Sequence, residues 1–199
     1  MLNNEKGLGL HGVTYKHFEL MIKRYGYMGT INDVILEEIQ HDIGLDFKKM
    51  INNKFSVQAQ YYQNEALFDK GNYEVKPLLA MAFVMCHHHS PTEARDAFWG
   101  IINPELEEKV PKQNLIDGLN LLTFWAAEVP YKIETIKEEP NLNYMEFLKE
   151  IVDAKDAAVK KAVENFDSEI MLEDIETMDE NWLASYKIRA LICPNKTVQ

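Results

Sequence analysis

The stretch LFDKGNYEVKPLLAMAFVMC, residues 67–86, decides how this chain is read. Asp69 opens a turn that Gly71 can make, and Tyr73 places an apolar side chain two residues later. A helical apolar run follows at once, from Leu78 to Cys86. This is the outline of an ion loop feeding a helix, and the question is whether oxygen ligands accompany it. With Gly71 at the turn, Pro77 falls where such a loop carries its last ligand, and proline has no side-chain oxygen. The ligand half before Gly71 is also about two residues short, so the loop is expected to hold a turn and no ion.

The rest of the chain reads as helix. Thr14 can cap a helix with Tyr15, Phe18, Met21, Ile22 and Tyr25 on one face, ended by Gly26. TINDVILEEIQHDIG starts from Thr30 and Asp33, with Ile31, Val34, Ile35 and Ile39 as its stripe and Gly44 as its stop. A further helix is expected over 56–68, behind Ser56. In SPTEARDAFWGII, Ser90 is a cap, Pro91 takes the first helical position and Glu93 closes the capping box. KQNLIDGLNLLTFWAAEV sets Leu115, Leu119, Leu122 and Trp125 on one stripe, and Pro130 and Pro140 bracket a connector. A long amphipathic helix follows, using Tyr144, Phe147, Leu148, Ile151, Val159, Ala162 and Phe166. A last one, near Glu180 to Ile192, buries Trp182 and Tyr186. No alternating strand or hairpin signal stands out, so the class is all-α.

A second loop candidate is NPELEEKVPKQNL. With Asn103 first, Glu105 and Glu107 take the third and fifth positions and Val110 the apolar eighth; Glu108 replaces the turn glycine and Asn114 stands last. Tyr73 and Val110 lie one typical repeat apart and are expected to pair across a short two-stranded bridge. Weaker echoes place Ile31 after Gly29, and Leu142 with Glu146 and Phe147 in PNLNYMEF.

The order helix, loop, helix, link, helix, loop, helix resembles the EF-hand superfamily, best over residues 56–128. The resemblance implies EF-hand-like helix–loop–helix pairs with additional terminal helices. Segment 1–55 is then an N-terminal helical unit, 56–130 the degenerate pair and 131–199 an acidic C-terminal segment. It also implies an apolar groove that takes a partner helix, with Met81, Phe83, Met85, Trp99, Leu119, Leu122 and Trp125 as candidate lining residues. Methionine suits such a surface because its flexible side chain repacks. With the calcium ligands depleted, the implied role is a non-catalytic structural subunit, such as those of ciliary and other cytoskeletal assemblies, with no metal and no cofactor. The alternative within the same family is a calcium-responsive adaptor using the 103–114 loop.

Three other motifs compete. His41-Asp42 in IQHDIG resembles the HD superfamily of metal-dependent phosphohydrolases, which would use His17, His41, Asp42 and Asp117. The polar LEEIQ before the pair departs from that family's buried apolar run. CHHHS, residues 86–90, suggests zinc, but adjacent helical residues point about 100° apart and three in a row converge poorly on one ion. A histidine cluster at a helix C-terminus is the simpler reading. GLGLHG, residues 7–12, formally fits a dinucleotide fingerprint but has no preceding strand.

Composition narrows the function classes. The 199 residues are 46% hydrophobic and 11% aromatic, enough for a real core without disulfide or metal support. The net charge of −11 opposes binding to nucleic-acid backbones or anionic membranes. Most of that charge lies between Glu134 and Glu180, where fifteen Asp/Glu face five Lys, a surface suited to solvent or to a basic partner. Two cysteines, Cys86 and Cys193, give no disulfide framework. The N-terminal MLNNEKGLGLHG lacks a basic n-region and an apolar h-region, and Leu78 to Cys86 is too short to cross a bilayer. The expected address is cytoplasmic, cytoskeletal or ciliary, with a protein partner.

Overall fold

The computed structural model describes residues 15–16, 19–20, 30–32, 72–85, 88 and 90–177. The expected helices over 56–68 and near 180–192 lie outside them. The described residues are mostly helical, in keeping with the all-α expectation, with two short antiparallel ladders. Strand β1 (Thr30–Asn32) pairs with β2 (Asn72–Glu74), and helices α1 (Val75–Met85) and α2 (Pro91–Ile102) follow. Strand β3 (Val110–Pro111) leads into α3 (Lys112–Thr123), a π-helical turn (Phe124–Glu128) and α4 (Val129–Thr135). Helix α5 (Leu142–Ala162), strand β4 (Glu169–Ile170) and α6 (Leu172–Thr177) complete the order.

Helix α1 is central because its sequence is apolar all round: every residue from Leu78 to Val84 is buried. Pro77 sits in its first turn, where a missing N–H costs nothing. Around it lie α2, α3 and the π-helical turn. The α2 start is as expected from the sequence: Ser90 Oγ accepts from the Glu93 N–H at 3.1 Å, and Pro91 opens the helix. Ala94, Ala97, Phe98, Ile101 and Ile102 give α2 its inner face.

The expected α3 stripe holds, with Leu115, Leu119, Leu122 and Trp125 all at most 1% exposed. Its last member lies in the π-helical turn, which has a local cause. Pro130, the second residue of α4, has no N–H, and its ring crowds the carbonyl four residues back. Opening one turn relieves this, and the Val129 N–H bonds to the Phe124 carbonyl instead. Pro130 therefore lies within helix rather than at the edge of a connector. The connector runs from Ile136 to Asn141 and is held by buried Glu134, which accepts from the Asn141 N–H at 3.1 Å and pairs with Lys137.

In α5, Asn141 caps by accepting from the Tyr144 N–H, and Leu148 and Val159 are buried. Phe147, expected in the inward stripe, is instead 47% exposed. Adjacent helical residues point about 100° apart, and Leu148 takes the inward direction. A 2.8 Å ion pair, Lys155 to Glu128, joins α5 to the π-helical turn, and Arg95 of α2 pairs with Glu176 of α6.

Candidate functional site

The two ladders bring four loop segments together in pairs, and the pairing differs from the expectation. Tyr73 lies opposite Ile31, and Val110 lies opposite Ile170; Tyr73 and Val110 are not partners. Thr30 and Ile31, expected at a helix start, are in β1. Leu142, the apolar residue of the fourth sequence echo, is the first residue of α5 and is 71% exposed. Its place is taken by Ile170, which is fully buried against Val110, itself 2% exposed. Both ladders cross the boundaries at 55/56 and 130/131 drawn from the sequence.

The 103–109 loop is closed by its own side chains. Asn103, 1% exposed at the C-cap of α2, accepts at Oδ1 from the Glu107 N–H (2.9 Å) and donates from Nδ2 to the Glu107 carbonyl (2.7 Å). Asn114, in the last ligand position, donates from Nδ2 to the Ile102 carbonyl at 3.0 Å. The first and last side chains that an ion would need are thus turned to backbone groups at the loop's base. Buried amides are costly unless satisfied, so these bonds hold the loop's shape. Glu105, Glu107 and Glu108 are exposed, and Leu106, at φ 56, projects into solvent.

Lys112 ties this loop to the segment before β4. Its N–H donates to the Ser168 carbonyl (2.9 Å) and its Nζ to the Phe166 carbonyl (2.7 Å).

Of the seven expected groove residues, Met81, Phe83, Leu119, Leu122 and Trp125 are interior, each at most 4% exposed. Trp99 is half-buried against the same core, and the side chain of Met85 is outside the described residues. In the chain alone, the five interior residues form core rather than an open groove.

The competing motifs are only partly within view. His17, His41 and Asp42, and the GLGLHG segment, lie outside the described residues. Asp117 is exposed on α3 and accepts from Gln113 at 2.8 Å. Of CHHHS, His88 is described: its ring stacks on Tyr15 at 5.2 Å, and Nε2 donates to the Phe83 carbonyl at 2.9 Å near the end of α1. That bond satisfies a carbonyl of the helix's last turns, a C-capping role. Among the described residues, no group of three or more His, Cys, Asp or Glu is placed to hold a metal ion. On the outer face of α5, Asp153 accepts from Lys149 at 3.1 Å and holds that ammonium above the ordinary lysine range. The pair is exposed on both sides and contributes little.

No helix among the described residues is long and apolar enough to cross a membrane. No protein family, curated protein or solved structure matches this chain.

Proposed function

We propose that this chain is a non-catalytic interaction protein, an EF-hand-like scaffold whose loops pair without calcium and which serves as a permanent subunit of a larger cytoplasmic assembly. The observation that carries this reading is the 103–114 loop. Asn103 and Asn114 stand where the first and last ligands would be, and both are committed to backbone hydrogen bonds. The apolar pairs Ile31 with Tyr73 and Val110 with Ile170 support it, since loops of this kind are joined through their apolar positions. The interior position of the groove residues bears on the mode of binding. A partner helix entering there has to replace contacts that the chain already makes with itself, which favours a stable complex over a transient, ion-triggered one.

The test is purification of the tagged full chain from its own cells, in chelator and in calcium, with a photocrosslinker replacing Trp99. The expected result is one protein partner at fixed stoichiometry under both conditions, crosslinked through position 99. A chain that purifies alone, or a partner retained only with calcium, would contradict the reading.

A further inference from the structure

The segment from Glu164 to Asp174 contains Glu164, Asp167, Glu169, Glu173 and Asp174 and has no lysine or arginine. It also carries β4, whose Ile170 must stay against Val110 for the ladder to persist. A run of like charge held in a tight turn repels itself and draws in cations. Lys112 is the first residue of α3, on the opposite side of the ladder. Its backbone N–H and its ammonium both cross to this segment, to the carbonyls of Ser168 and Phe166, in a partly buried setting. An ammonium is a compact point charge on a flexible stem, the kind of group that can stand in for a bound cation. Phe166 lies four places before the ladder residue Ile170, inside the stretch that an ion loop would wrap around its ion.

We propose that Lys112 is a tethered counter-ion: its ammonium supplies to the 164–174 segment the positive charge that a soluble cation would otherwise provide, and so keeps the two loops joined whatever the divalent-ion concentration. This inference deepens the cation-independent reading given above and rests on it only for the likeness of 164–174 to an ion loop. The charge-and-carbonyl geometry stands without it.

The experiment uses the full chain and three variants, followed by thermal unfolding in chelator, in millimolar calcium chloride and in sodium chloride of matched ionic strength. Lys112→Met keeps the stem and removes both charge and donor. Lys112→Gln keeps a donor without the charge, and Lys112→Arg keeps the charge. The wild type and Lys112→Arg are expected to show the same Tm in all three solutions. Lys112→Met and Lys112→Gln are expected to melt lower in chelator and to regain at least half of the loss in calcium but not in sodium, since a weak site gained by the folded state raises its stability by mass action. If both neutral variants melt lower and calcium restores neither, Lys112 is an ordinary hydrogen-bond donor and the proposal fails. A wild-type Tm that rises with calcium overturns it equally, because the charge is then not already supplied. Should Lys112→Met not fold, Lys112→Gln decides the matter. None of these outcomes bears on whether the chain has a protein partner, which the crosslinking experiment reads separately.

Discussion

Trp125→Ala is expected to lower the free energy of unfolding by about 3–5 kcal/mol, the range for removing a fully buried large aromatic side chain. Trp125 is 1% exposed and first among the fully buried side chains by volume. It lies in the π-helical turn, meeting Phe124 edge to face at 5.2 Å. The turn is fixed by Pro130 and by the Val129–Phe124 hydrogen bond, so the backbone is poorly able to close over the space left behind. For a chain of this size, each kcal/mol moves Tm by roughly 2–4 °C, so the loss corresponds to roughly 6–20 °C. Circular dichroism during thermal and urea unfolding measures it. A change below about 1 kcal/mol, the ordinary range for an exposed site, would mean that Trp125 is not in the core.

Gly118→Val is expected to cost about 2–3 kcal/mol through overpacking. A Cβ at position 118 would come within 2.4 Å of Ile102 Cγ2 and 3.2 Å of two ring atoms of Phe98, so this glycine is what lets α3 lie close to α2. The β-branched Ile102 has little rotamer freedom in a helix, and Phe98 is fully buried on the other side, so neither yields easily. Valine is a somewhat better helix former than glycine, which acts in the opposite direction by only a few tenths of a kcal/mol. The sign therefore reports the helix–helix distance. Destabilisation in urea supports close approach, and an unchanged or raised stability would place the two helices further apart.

The parts of the fold legible in the sequence are those set by neighbours along the chain. Ser90, Pro91 and Glu93 mark the start of α2 because a cap is a local hydrogen bond. Leu115, Leu119, Leu122 and Trp125 mark the inner face of α3 because helical periodicity is local too. The ladder partners were not legible. Ile31, Val110 and Leu142 all offered an apolar residue in a suitable position, and no local signal chooses among distant candidates. Ile170 escaped notice because FDSEIM has no glycine before it. Lys112 escaped for the same reason of distance, since the carbonyl that its ammonium meets is 54 residues away in sequence. Asn103 and Asn114 were placed correctly in the loop, but their hydrogen bonds to Glu107 and Ile102 depend on the loop's folded shape. The groove residues show the limit of periodicity: a stripe of Met, Phe, Leu and Trp reads the same whether it lines a groove or fills a core, and here five of the seven fill the core.

The central claim is that the paired loops hold together without a bound ion. Native mass spectrometry of the full chain in chelator, in calcium and in manganese tests it most directly. The account predicts the metal-free mass under all three conditions. One bound calcium would contradict it and assign the 103–114 loop, through Asn103, Glu105 and Glu107, to ion binding, whereas bound manganese would point to His17, His41, Asp42 and Asp117 instead.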